Sequence, residues 1–438
     1  MRTSLKLPFT QGTLLLLFDV LLLSWAGRTV STSVDSIVCS NWPLCLAGSE
    51  ASWIWLIHVV LAGLAGLLVI GVFLAAWRKH RTDLVLLPLT TVMAVLFFGQ
   101  ALLGAILLVR DLRPDLVVLH AATAVSFWLS LVALVAVSLL RRPGTPIASK
   151  TSAERSWRDF IALGKPWIVA LLLVTTLGGL VAGGRALPSA GLAFWTLIGG
   201  ALAASGSSAL NQYIDRELDT RMQRTARRPL PSGRLTPAEG LSYGLALCLA
   251  SYYLMAGFVN LAAALLALAG IVYYVFVYSI LLKRATVQNI VIGGGAGAIP
   301  PMVGWAAAAG HLNLGAWVLF LIIFMWTPPH FWALAIVRMK DYEKAGVPML
   351  PVVRGERETR RQILVYTVLL VGTTFLLPVV GAAGLIYAAA AAILGGLLLL
   401  AAWRVWRTPG NKVAWMMYRW SSMYLMFIFA ALVVDALA

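Results

Sequence analysis

Long apolar runs recur along this chain, separated by short polar breaks. Thirteen of them, at roughly 13–30, 53–77, 84–109, 116–140, 167–184, 191–211, 238–258, 261–282, 287–309, 315–336, 363–382, 385–403 and 416–437, approach the twenty or so residues that cross a bilayer as a helix. They are rich in Leu, Ala, Val and Gly and hold few charges. The pattern predicts an all-α polytopic membrane protein, because in lipid a helix satisfies its own backbone polar groups. One break differs from the rest. Residues 141–166, RRPGTPIASKTSAERSWRDFIALGKP, are polar, basic and proline-containing, and predict a linker. Four spans precede it, in a module over residues 1–140, and nine follow, in a bundle over residues 167–438.

A mean hydropathy of +0.88 over 438 residues agrees with this reading. The net charge of +17 would suggest nucleic acid as a partner, but the placement of the charges argues against it. If the N-terminus is cytoplasmic, all of the 34 Lys and Arg except Arg28, Arg110, Arg113 and Arg185 fall on the cytoplasmic side. That asymmetry is the positive-inside rule. It predicts a cytoplasmic N-terminus, an outer C-terminus, and a basic excess that records topology rather than a nucleic-acid surface. Arg2 and Lys6 before the first apolar run, with Ala26 and Gly27 after it, also fit a cleaved signal peptide, though a retained span is favoured.

The most unusual polar stretch is NQYIDRELDTRMQRTARRP, residues 211–229. Asn211, Asp215 and Asp219 stand at i, i+4 and i+8, which drift by only about 40° per step on a helix and so share one face. Two carboxylates and an amide oxygen on one stripe make a hard-oxygen site of the kind Mg²⁺ accepts, usually together with waters and phosphate oxygens. Arg224, Arg227 and Arg228 follow, and Lys283 and Arg284 close a later span. Such cations could neutralise a departing diphosphate. The alternative is a basic loop ordered by i, i+4 ion pairs.

In the first module, His58 and His120 lie at similar depth in two spans that run in the same direction. A pair of imidazoles on facing helices of a four-helix bundle is a simple bis-histidine haem site. The alternative for each is a hydrogen bond to a neighbouring carbonyl. Cys39 and Cys45 lie in the first outer loop, where an oxidising compartment permits a disulfide, with two free thiols as the alternative. His80 and His311 carry no evident chemistry.

N-x-x-x-D-x-x-x-D followed by R-T-x-x-R-P resembles the aspartate-rich motif of UbiA-type intramembrane prenyltransferases. Four further segments resemble the haem-farnesylating branch, the protohaem IX farnesyltransferases or haem O synthases. They are YSILLKRATVQNIVIGG from Tyr278, GAIPPMVGW from Gly297, and WTPPHFWALA from Trp326 with DYEKAGVPMLP from Asp341. The likeness spans roughly residues 160–435. It implies a nine-helix UbiA-type bundle, farnesyl diphosphate and haem B as substrates, and Mg²⁺ on Asn211, Asp215 and Asp219. It further implies catalytic roles for Arg227, Arg228, Lys283, Arg284, Asp341 and Tyr342, and a haem-facing His330. Quinone-type relatives carry two aspartates four apart in the second acidic motif, whereas Asp341 is followed by Ala345. CSNWPLC, then His58, then QALLGA and Leu119-His120 resemble half of a haem A synthase, a family with haem-ligating histidines and an outer-loop Cys pair. Only one half is present here, and Trp55 stands where that family has an acid. The resemblance implies a second bound haem, a bacterial cell membrane, and haem A synthase or oxidase assembly proteins as partners. A quinone-precursor prenyltransferase, a haem-carrying assembly factor and a bifunctional enzyme remain as alternatives.

Overall fold

The computed structural model describes residues 9–32, 50–109, 113–140 and 156–438. Cys39 and Cys45, and most of the 141–166 break, lie outside the described residues. In chain order the helices are α1 Phe9–Thr32, α2 Glu50–Lys79, α3 Leu86–Val109, α4 Pro114–Leu140, α5 Trp157–Leu163, α6 Pro166–Gly184, α7 Ala190–Asp219, α8 Pro237–Phe258 and α9 Leu261–Val272. A π-helix, Tyr273–Leu282, continues α9 directly. Then come α10 Asn289–Gly293, α11 Gly295–Ala309, α12 Leu314–Val337, α13 Met339–Ala345, α14 Leu350–Thr374, α15 Leu376–Val379, α16 Leu385–Arg407 and α17 Asn411–Leu437. Thirteen segments among the described residues are long and apolar enough to cross a membrane. The all-α polytopic expectation therefore holds.

Two boundaries differ from the apolar runs. The run read as 191–211 belongs to a helix that continues to Asp219, so the charged stripe extends the span itself. The run read as 363–382 belongs to a helix beginning at Leu350. Its first turns are charged and gave no hydrophobic signal. Gly355 interrupts it with φ 77° and ψ 167°, a conformation that favours glycine.

The chain divides into two compact units. The first comprises residues 1–150 with 236–249. In it α1 packs on α2 and α4, and α3 packs on the same two helices, giving a four-helix bundle. Leu16, Val20, Val69, Met93, Phe97 and Leu131 fill its core. Thr13 and Ser138 hydroxyls pair at 3.3 Å, and Trp128 Nε1 donates to Ser24 Oγ at 2.8 Å. The start of α8 belongs to this unit. Thr236 and Glu239 form a reciprocal cap there, the Thr236 hydroxyl donates to the Arg81 carbonyl at 2.7 Å, and Arg81 Nε lies 3.8 Å from Glu239.

The second unit comprises residues 151–235 and 250–438. Its closest packing is between α6 and α11. A Cβ at Gly179 would fall on the Pro301 carbonyl, and one at Gly304 would fall on the Thr176 carbonyl. Small residues allow this approach where no hydrophobic effect drives helices together in lipid. Helix α12 packs against α11, α14 and α17, and the π-helix lies beside α7, α9 and α10. That last arrangement assembles the polar site.

Candidate active site

Helix α7 presents Asn211, Asp215 and Asp219 on one face, and all three are buried. Buried carboxylates need partners. Asp215 Oδ2 accepts from Asn211 Nδ2 at 2.8 Å and from Lys283 Nζ. Asp219 Oδ2 accepts from Arg228 Nη1 at 2.6 Å. The Thr225 hydroxyl donates to the Asp219 carbonyl at 3.0 Å, folding the basic loop back onto the helix end. Arg234 holds the far side of that loop. Its Nε donates to Asp159 Oδ1 at 2.8 Å and its Nη2 to the Arg227 carbonyl at 3.1 Å. Asp159 also caps α5 by accepting from the Ser156 amide at 2.9 Å. Burial works to raise the Asp159 pKa, but Arg234 and the Ser156 amide outweigh it and hold the carboxyl below its ordinary value.

Two side chains that the sequence reading did not single out complete the cluster. Lys165 Nζ donates to Asn211 Oδ1 at 3.3 Å. Burial, then the charges of Arg228 and Lys283, lower its pKa to about 7. Ser279, in the π-helix, accepts from Asn211 Nδ2 at 3.0 Å. A basic residue directly before the proline that opens a span, as in Lys165-Pro166, was the available signal for the first. No comparable signal marked Ser279.

The donor set fits a hard cation. Asp215 Oδ1 is buried and has no hydrogen-bond partner among the described residues. Asn211 Oδ1 is an uncharged oxygen beside it on the same stripe. No group of three or more His, Cys, Asp or Glu able to hold a metal occurs among the described residues. The stripe is thus not an all-protein cage. Its oxygens would supply part of the shell of a hard cation such as Mg²⁺, which takes waters and phosphate oxygens for the rest.

Comparison with known proteins places this arrangement. Residues 172–429 match the UbiA prenyltransferase family. The chain belongs to that family. Within it the chain stands with the protoheme IX farnesyltransferases. It is 42% identical to the Roseiflexus sp. (strain RS-1) protein of that name over 437 residues, covering 95% of this chain and 82% of the relative. The protein of the same name from Gloeobacter violaceus is 50% identical over 280 residues, 64% of this chain and 92% of the relative. Residues 46–227 also match a family described as a cytochrome oxidase assembly protein. Among solved structures, a digeranylgeranylglyceryl phosphate synthase aligns with a TM-score of 0.55 at 18% identity, covering 64% of this chain and 98% of that one. That likeness speaks for the fold.

The remaining candidate residues fall in three places. Tyr342, on α13, is half-buried near the cluster. Burial raises its pKa, while the charges of Arg224, Lys283 and Arg228 work to lower it. Arg227 and Arg284 are exposed, and Asp341 is half-buried. His330 is buried in α12, stacked between Trp326 at 4.2 Å and Tyr418 at 4.4 Å, with Nδ1 2.8 Å from Ser421 Oγ. In the first unit, His58 lies against Gly27 and His120 against Gly104. A Cβ at those glycines would come within 3.1 and 3.2 Å of the imidazole carbons. Gln100 Nε2 stands 3.0 Å from His120 Nε2. The Nδ1 atoms of both histidines are buried without a hydrogen-bond partner among the described residues.

Proposed function

We propose that this enzyme transfers the farnesyl group of farnesyl diphosphate to the 2-vinyl group of haem B, giving haem O. The orphaned Asp215 Oδ1 on the hard-oxygen stripe carries the reading. A buried carboxylate oxygen without a donor suits a ligand that brings its own positive charge. Mg²⁺ held by Asn211, Asp215 and Asp219 would offset charge on the diphosphate as the leaving group departs.

The chain's own groups supply the rest. Arg228 and Lys283, already beside the carboxylates, accept the negative charge that grows on the diphosphate as its C–O bond breaks. Arg227 and Arg284 extend that cationic rim, and Arg234 with Asp159 holds the loop in place. Tyr342 and Asp341 close the site from α13. The farnesyl cation formed at C1 is attacked by the vinyl carbons of haem. Water then adds to the resulting cation and loses a proton, leaving a hydroxyethylfarnesyl group. An apolar chamber protects the first cation from water. His330 faces the haem in this reading, with its Nδ1 occupied by Ser421 and Nε2 left for the substrate.

Positive-inside charge supports an active site on the cytoplasmic side of a bacterial cell membrane, with an outer C-terminus. A second haem on His58 and His120 is a further part of the proposal. The two close-fitting glycine seats support it. The deciding experiment is mass spectrometry of the products formed by purified protein from haem B, farnesyl diphosphate and Mg²⁺. A farnesylated haem is expected, and an unchanged porphyrin with full diphosphate release would overturn haem as the acceptor.

A further inference from the structure

The π-helix is rare geometry placed directly at the site. Such helices close i→i−5 hydrogen bonds and occur mostly at functional sites. Here the Ser279 hydroxyl donates to the Tyr274 carbonyl five residues back at 2.8 Å, and the Lys283 amide donates to the Tyr278 carbonyl at 2.9 Å. Ser279 and Lys283, four residues apart, would share a face on an α-helix as well. What the π turn adds is the Tyr274 carbonyl, five residues back, as the acceptor of the Ser279 proton.

The hydrogen-bond chemistry of Ser279 has a direction. A serine hydroxyl has one proton, and here the Tyr274 carbonyl takes it. Towards Asn211, Ser279 can only accept. Asp215 Oδ2 is likewise an acceptor. Two acceptors thus face the Asn211 NH₂ group, and the amide is fixed with Oδ1 turned the other way, to where Lys165 now donates. An amide flip would set its oxygen against two acceptors.

We propose that Ser279 is a positioning residue that, through the π turn, orients the Asn211 amide so that Oδ1 faces the cation carried with the diphosphate. The proposal rests on the metal assignment above, and its test separates the two. Full-length protein is titrated with farnesyl thiodiphosphate, an unreactive analogue, by calorimetry with Mg²⁺ and again with chelator. The Mg²⁺-dependent part of the affinity is the readout. Ser279→Ala is expected to weaken it about tenfold, the scale of one lost hydrogen bond in a buried site. Made on top of Asn211→Asp, the same substitution is expected to have almost no effect, because a carboxylate presents an oxygen in either orientation. Equal weakening in both backgrounds would reduce Ser279 to a packing residue and overturn the proposal. So would unchanged affinity in Ser279→Ala while Asp215→Asn loses the Mg²⁺-dependent part. If Asp215→Asn itself binds like the parent, the metal assignment fails and the proposal goes with it.

Discussion

In the second unit, Asp215, Asp219 and Asp159 are each held by a cation, and two of them also by an amide donor. In the first unit, His58 Nδ1, His120 Nδ1 and Asp19 Oδ2 are buried without hydrogen-bond partners among the described residues. The carboxylate cluster is largely assembled by its own side chains, with Asp215 Oδ1 left without a partner among the described residues. The imidazole pair has close-fitting glycine seats, with Gln100 on His120 Nε2 and few other polar contacts. Unpaired buried polar atoms are costly, so a ligand that satisfies them gains correspondingly. The difference is one of degree: the carboxylate cluster leaves Asp215 Oδ1 open among groups that are otherwise paired, whereas the histidine seats are shaped mainly by packing.

Four measurements sharpen that contrast, in falling order of effect on the prenyl transfer unit. Asp215→Asn keeps the shape and removes the charge that Lys283 and the cation share. It should lower farnesyl transfer about a hundredfold or more, the scale of losing one preorganised charge-stabilising group. Near-parental turnover in a product assay would dissolve the contrast at its root. Gly179→Ala forces a methyl onto the Pro301 carbonyl and should destabilise the second unit by about 1–3 kcal/mol, read as a lowered Tm in detergent. Arg234→Ala frees one side of the basic loop. Because Arg234 is partly exposed, its ion pair is screened, and KM for farnesyl diphosphate should rise only about threefold with kcat held. His58→Ala with His120→Ala should leave farnesyl transfer within about twofold, as sites without shared partners act independently. The same pair should remove one of two haem equivalents bound by the full-length protein in a haem titration, leaving the substrate haem. An unchanged haem stoichiometry in the double variant would show that the seats hold no haem.

The span count was legible because lipid leaves little choice: a long apolar run must satisfy its backbone internally, and here it does so as helix. The oxygen stripe of Asn211, Asp215 and Asp219 was legible because all three residues sit on one helix, where spacing alone fixes the face. Lys165 and Ser279 were not. They reach Asn211 from 46 and 68 residues away in sequence, and only tertiary packing brings them in. The π-helix was hidden for a related reason. Residues 261–282 read as one apolar run, and nothing in its periodicity marks where the hydrogen bonding shifts by a residue. The first turns of α14 were missed because Arg354, Glu356, Arg357 and Glu358 interrupt the hydrophobic signal that finds spans. The histidine pair was legible as residues at matched depth, but the glycines that make room for the rings became evident only in three dimensions.

The crossing of α6 and α11 has a mechanical meaning. With Gly179 and Gly304 each pressed on the other helix's backbone, neither helix can slide past its neighbour without a steric collision. The pair works as a pivot pin. Distance labels across this crossing are expected to stay constant when farnesyl diphosphate binds.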